Sequence, residues 1–303
     1  MNKKHILIVY YSQTGQLRQM VEKFAAPLFA ADDIEVEMLP IKPTTPFAFP
    51  WRFLPFFNTF PETVHFQPCE IEPIATQHDK YDLIILAYTV WFLSPSQPIT
   101  AFLQDETAQK LLNNTPVATI IGCRNMWLMA QEEVKKMLSQ VNAHLIGNMV
   151  KIDACSSAAS FITTPLWLLT GKKQVGSLPS AGISEDDITD CCRFGDKTRT
   201  VLLSGSLNET LWQNMGAVKV NENLIASEKI ARRSFYLWGK LLISSGKISP
   251  LLRKFILLFY IVFLILMILT VVPVSAVIKM LIKPLTRQKI DEQKKYFAAP
   301  SGE

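Results

Sequence analysis

The sequence predicts an α/β protein: a doubly wound, five-stranded parallel sheet followed by a C-terminal membrane helix. Three observations carry that expectation. Short, continuous apolar runs read as strands buried on both faces. Segments with apolar residues spaced three and four apart alternate with them, which is the pattern of helices packed on a parallel sheet. Near the C-terminus a run of about 24 residues, Phe255–Ile278, contains no charge.

His5–Ser12 (HILIVYYS) is the first strand, rich in β-branched and aromatic residues and ended by a polar turn. Leu17, Met20, Val21, Phe24 and Leu28 then line one helix face. Ile34–Ile41 is a second strand, Tyr81–Tyr88 a third, and a fourth runs from near Pro116 to Gly122. A helix from Met129 to Val141 leads to a fifth strand around Leu145–Ala154. Two long connections interrupt the alternation. Thr44–Phe66 holds eight aromatic residues among Pro46, Pro50, Pro55 and Pro61, too many prolines for a long helix. It reads either as cover for the sheet edge or as a greasy flap over a site or into lipid. Ser156–Gly182 reads as a second connection, after which Ser184, with Asp187 three residues on, marks a helix N-terminus.

The charge is unevenly placed. Residues 1–219 carry 18 Lys and Arg against 21 Asp and Glu, whereas residues 220–303 carry 13 against 5. A basic segment beside apolar residues points to anionic lipid rather than nucleic acid as its partner. The five cysteines form no CxxC pair, and with no signal-like N-terminus they read as reduced thiols in the cytoplasm. His5, His65, His78 and His144 are dispersed along the chain, and no metal site is expected.

In a doubly wound sheet, ligands bind beyond the carboxyl ends of the strands. Three segments fall there. Ser12-Gln13-Thr14-Gly15-Gln16-Leu17 joins the first strand to its helix, and hydroxyls with backbone N–H groups at a helix start can cradle a phosphate. It has neither a Walker ending nor a three-glycine dinucleotide fingerprint. Thr89-Val90-Trp91-Phe92, after the third strand, offers aromatic faces for stacking a fused ring. Gly122-Cys123-Arg124-Asn125-Met126-Trp127, after the fourth, offers backbone groups for a heterocycle edge. There Arg124 is the candidate catalytic residue, suited to stabilising negative charge on a ring or substrate oxygen.

Taken together, these loops resemble those of the flavodoxin-like family of FMN proteins, over roughly residues 4–205. The resemblance implies that Ser12 to Leu17 hold the FMN phosphate while Thr89 to Phe92 and Gly122 to Trp127 hold the ring. Leu17 stands where flavodoxins proper usually carry a further hydroxyl residue, a departure that the quinone-reductase branch tolerates. The WLLTGKK stretch and the apolar tail are similar to the flavodoxin-type enzymes encoded beside dialkylresorcinol and aryl polyene synthesis genes. Those relatives are known as condensing enzymes, or as the aromatase that oxidises a cyclic dione to a resorcinol.

The expected organisation is a flavodoxin-like FMN-binding domain over residues 1–219 and a basic amphipathic interfacial region over 220–254. A transmembrane or monotopic helix over 255–282 and a basic tail over 283–303 follow. A helix of the run's length spans a bilayer core of ~30 Å. Basic residues balance on its two sides, so the positive-inside rule leaves orientation open. The expected activity is an FMN-dependent oxidoreductase on a lipophilic cyclic small molecule at a membrane, its catalytic domain cytoplasmic. Alternatives are a quinone reductase using NAD(P)H, an electron-transfer module for a membrane partner, and a cofactor-free scaffold. A homo-oligomer and a redox or biosynthetic partner protein are further expectations.

Overall fold

A computed structural model describes residues 3–208 and 210–302; the side chains of 157, 158, 272 and 276–285 lie outside the description. The end of the expected apolar run and the charges of Lys279 and Lys283 fall among those side chains.

The strands are β1 (Lys4–Tyr10), β2 (Ile34–Pro40), β3 (Leu83–Trp91), β4 (Ser94–Pro95), β5 (Pro116–Cys123) and β6 (His144–Ile152). Five of them pair in parallel in the order β2-β1-β3-β5-β6. Counting only these five, the order is 2-1-3-4-5, the flavodoxin-like arrangement. The expected five-stranded parallel sheet gains one small antiparallel piece, β4, which pairs Pro95 with Val90 and Ser94 with Trp91. Ile6 to Val9 and Leu83 to Tyr88 are inaccessible to solvent, as continuous apolar strands covered on both faces must be.

Helix α1 (Gln16–Phe29) packs closely against α8 (Glu185–Leu203) on one face of the sheet. Gly195 makes this approach feasible: a Cβ there would stand 2.0 Å from the Phe24 carbonyl oxygen. Ser184 caps α8 through the Asp187 amide, as its position three residues before an acid predicts. The proline-rich connection holds only the short helices α2 (Phe53–Asn58) and α3 (Phe60–Val64). Helices α4 (Gln97–Gln104), α5 (Glu106–Leu112) and α6 (Leu128–Gln140) complete the middle of the chain.

Three expectations are corrected. Thr89 to Trp91 belong to β3 itself rather than to a loop after it, because Thr89 pairs with Gly122 and β4 extends the ladder. The connection from Ser156 contains a helix, α7 (Ser157–Thr170), capped by Ser156 and ended by Gly171 in a left-handed conformation. Its apolar residues run all round, so it shows no helical stripe in sequence. The tail expected over 283–303 docks on the domain: Phe297 and Ala298 join the core, and Ser301 Oγ accepts from Asn148 N at 2.8 Å.

Two long helices form the C-terminal region: α9 (Glu222–Ile248) and α10 (Pro250–Ala298). Of Phe235, Trp238, Leu241 and Leu242, expected at a membrane interface, Leu241 stays exposed while the other three contact the flap and α10. Phe235 meets Phe60 edge-on, Trp238 lies 5.1 Å from Phe263, and Leu242 is fully buried with Phe60 and Tyr260. The aromatic flap supplies the surface they bury against. Pro250–Ser275 is long and apolar enough to cross a membrane. Most of it is bare, with Phe255, Phe259, Leu266 and Leu269 among its exposed side chains.

Both ends of α10 rest on α9. Phe263 packs on Trp238, and Phe297 lies 5.3 Å beneath Lys229. Along α9 those two anchor points are about 14 Å apart, whereas a straight α10 would separate Phe263 from Phe297 by about 51 Å. Helix α10 is therefore not straight: it bends between these two contacts, and its end returns to the domain.

Candidate functional site

The carboxyl ends of β1, β3 and β5 converge on a cavity of about 170 Å³. It is lined by Gln13, Thr14, Gln16 and Leu17 after β1, by Thr89 to Phe92 at the end of β3, and by Gly122 to Arg124 at the end of β5. This is the switch point where the sheet's winding reverses between β1 and β3.

The turn after β1 presents backbone donors. Gly15 precedes α1 with φ +87°, a conformation that glycine adopts without penalty. Ser12 Oγ accepts the Arg18 amide at 3.2 Å, and the Gly15 carbonyl accepts from Gln19. Among the described residues, no protein acceptor faces the amides of residues 13–17, which are the orphan donors of a helix start. The two glutamines there have structural duties. Gln16 forms a two-way amide pair with Ile183, donating to its carbonyl at 2.9 Å and accepting from its N–H at 3.2 Å. Gln13 donates to Ala48 O at 2.8 Å and accepts from Trp51 Nε1 at 3.1 Å, which ties the flap to the turn. Leu17 is 2% exposed and belongs to the core, so an apolar residue suits that position.

The flap closes the cavity from above. Trp51 and Phe56 line it, and their rings belong to a chain of edge-on and tilted contacts with Phe47, Trp91 and Phe92 at centroid distances of 5.0–5.8 Å. Phe92 and Leu93 hold left-handed backbone (φ 48° and 61°) in the turn to β4, and Met126 does so in the turn after β5. Bulky residues in that region store strain, which clusters at functional turns.

Arg124 lines the cavity with its guanidinium 4.2 Å over the Phe161 ring. Among the described residues, no carboxylate lies within ion-pair distance of it. Burial lowers its pKa, and the nearby Asp153 charge counters the shift. Asp153 is itself committed to the scaffold, accepting from Gly182 N at 2.9 Å and Thr164 Oγ1 at 3.1 Å. Burial pushes the Cys123 thiol well up, so it is not a thiolate nucleophile.

Asn125, Met126 and Trp127 do not reach this cavity. They line a smaller one of about 50 Å³ next to it, and Trp127 is 3% exposed in the core. Ser12 and Gly15 shape the turn without lining the cavity. Sequence reasoning misses Trp167 and Leu168 of α7, because that helix is not visible as one. It also misses Glu228 on α9, which no motif marks. This side chain is wholly buried, caps α6 by accepting the Met129 amide at 2.7 Å, and borders the smaller cavity. Burial raises its pKa to about 8, against the opposing pull of the α6 amides. Dispersed in sequence, His5 and His78 nevertheless meet in space at the opposite edge of the sheet.

Fold and cavity together define an α/β protein with a flavodoxin-like sheet and a cavity at its switch point. No protein-family model matches the chain, and no curated protein matches it. Among solved structures it is similar to a flavoprotein of Lactobacillus acidophilus NCFM in complex with FMN, with 20% identity and a TM-score of 0.39. That match covers 48% of this chain and 93% of the other. It is also similar to oxidised flavodoxin 1 of Bacillus cereus (12% identity, TM-score 0.35, covering 64% and 95%). A flavodoxin from the domain Archaea matches at 11% identity and a TM-score of 0.33, covering 65% and 99%. The strand order, rather than these scores, carries the fold class.

Proposed function

We propose that this chain is a membrane-associated, FMN-dependent oxidoreductase acting on a lipophilic cyclic substrate, with aromatisation of a dialkyl cyclohexanedione to a resorcinol as the leading reaction. The observation that carries the reading is the convergence on one cavity of three features: unpartnered helix-start amides, an aromatic strand edge and an arginine without a carboxylate partner. The amides of residues 13–17 and the Thr14 hydroxyl fit a phosphate held by neutral donors. Trp91 and Phe92 fit the ring, with the backbone of Gly122 and Cys123 at its edge. A cavity of about 170 Å³ is below the ~300 Å³ at which ligand pockets usually begin, so Trp51 and Phe56 swing outward for the ring to enter. When bound, FMN supplies hydride acceptance and donation. Arg124 then stabilises the negative charge that develops on substrate oxygen, and the flap excludes water from the ring face.

The membrane part of the reading is supported by the bare apolar face of Pro250–Ser275, which has no protein cover and is costly in water. The return of the chain to α9 favours a monotopic hairpin, with the domain and the C-terminus on one side. A wider cavity, about 920 Å³, lies where α2 meets α9 and α10, lined by Leu54, Ile243 and Leu257 together with Glu62, Lys247 and Arg253.

Protein purified in detergent is expected to carry or take up FMN, and Gly15→Val to weaken it at least tenfold, because a side chain at φ +87° strains the cradle. A colourless protein that ignores added FMN overturns the proposal. NAD(P)H-driven reduction of a quinone identifies the quinone-reductase alternative. Uptake of single electrons without turnover of any small molecule identifies an electron-transfer module.

A further inference from the structure

We propose that His5, Glu35 and His78 form a binding site for a borderline divalent metal ion, with Zn²⁺ the ion that fits it best. The site lies at the amino ends of the strands, roughly 20 Å along β1 from the cavity. His5 and Glu35 are register partners on the parallel pair β1 and β2, and His78 enters from the segment that precedes β3. One donor atom from each of the three lies within 4.8 Å of the others. Glu35 sits between the two imidazoles, with one oxygen 3.4 Å from His5 Nδ1 and the other 3.3 Å from His78 Nε2. The rings are 4.0 Å apart at their centroids. His5 Nδ1 is buried and makes no hydrogen bond, the Glu35 oxygen 3.4 Å away being out of line for one, so a ligand position on the ring is left unused.

The frame around these three groups is fixed by other residues. Asp82 accepts the His5 amide at 2.9 Å and returns its own amide to the His5 carbonyl at 2.9 Å. Lys4 holds the same carboxylate at 2.7 Å. Glu37 accepts the Gln77 amide on both oxygens and also takes the Tyr81 hydroxyl, which pins the segment that carries His78. Two neutral imidazoles and one carboxylate are a donor set suited to Zn²⁺, which binds nitrogen at ~2.0–2.1 Å and keeps a fourth position for water. Closing from the present spacing to the ~3.4 Å between ligands of a tetrahedral ion takes about an ångström of side-chain movement. The three side chains are 30–40% exposed, enough for the ion and its water to enter. Calcium and magnesium, which favour all-oxygen shells, do not suit it. An ion here would clamp β2, an edge strand, and the 76–82 segment onto β1.

The test is titration of the full-length, EDTA-treated protein in detergent with Zn²⁺ alone, followed calorimetrically, with Co²⁺ as a spectroscopic probe. One Zn²⁺ per chain is expected, with affinity at least tenfold lower in His78→Ala and in Glu35→Gln. Zn²⁺ should raise the melting temperature of the parent but not that of His78→Ala, and Co²⁺ should give the visible bands of a tetrahedral site. His78 lies on a surface segment, so its loss leaves the fold intact, and His144→Ala serves as the control that keeps binding. A parent that binds no Zn²⁺, or a His78→Ala variant that binds it equally well, overturns the proposal. Neither result depends on flavin.

Discussion

Arg124 and Glu228 both border the smaller cavity at the turn after β5, and burial shifts each of them toward its neutral form. Arg124 has the Phe161 ring against it and no carboxylate in reach, so its charge is available to the cavity. Arg124→Gln is expected to lower turnover about 10²-fold while FMN content stays unchanged, as read by steady-state kinetics against flavin absorbance. Glu228 behaves differently. Its folded pKa is raised from 4.5 to about 8, so between those values the folded state binds a proton that the unfolded state has released. Stability therefore falls as pH rises from about 4.5 to 8, because burial outweighs the help that the α6 amides and the Arg232 charge give the ionised carboxylate. Glu228→Gln keeps an acceptor for the Met129 amide and removes the charge. It should raise the melting temperature at pH 8, leave it nearly unchanged at pH 5, and flatten the pH dependence between. Arg124 is legible in sequence from its place in the turn after the fourth strand, whereas Glu228 sits in a helix among basic residues that give no sign of its burial.

At the scale of elements, the strands and the helices α1, α6 and α8 are readable because each buries one continuous run or one stripe. Ser184 with Asp187 marks the start of α8 for the same local reason, a cap satisfied by its own neighbours. Helix α7 escapes detection because it is apolar on every side and carries Pro165 inside it. The end of β3 is misjudged because Thr89 to Trp91 are held by partners elsewhere in the chain, Gly122 and β4. The tightest element contact is also non-local. Gly195 lets α8 lie against the Phe24 carbonyl of α1, and Gly195→Ala should cost about 1–3 kcal/mol in chemical denaturation, since backbone must move to admit the methyl. A variant as stable as the parent would mean that the two helices separate freely.

At the scale of the whole molecule, the C-terminal region covers the flap and carries the one helix, among the described residues, long and apolar enough to cross a membrane. Helix α9 joins the flap to α10 through Phe60, Leu242 and Tyr260, and links to the domain through Arg232, which pairs with Glu133 at 2.8 Å. Arg253 grips Glu62 of α3 with both nitrogens at 2.6 and 2.9 Å, so the start of the apolar segment is fastened to the flap. The return of Phe297 and Ser301 to the core places the C-terminus beside the domain. A reporter fused at the C-terminus and one fused at the N-terminus should therefore lie on the same side of the membrane, as read by protease access to sealed vesicles. Opposite sides would establish a single crossing.

The sequence by itself determined the alternation of strands and helices, the unequal charge of the two regions and the long charge-free run, because each is a local property of composition or period. It also picked out the turns at the carboxyl ends of β1, β3 and β5, since a parallel sheet puts its ligand sites there. Only the tertiary structure decided which of those residues share a cavity and that Gln13 and Gln16 serve the scaffold. The seating of the flap over Trp91 and the meeting of His5 with His78 were likewise decided there. Each of these depends on pairing between segments tens to hundreds of residues apart, and no local pattern records a partner at that distance.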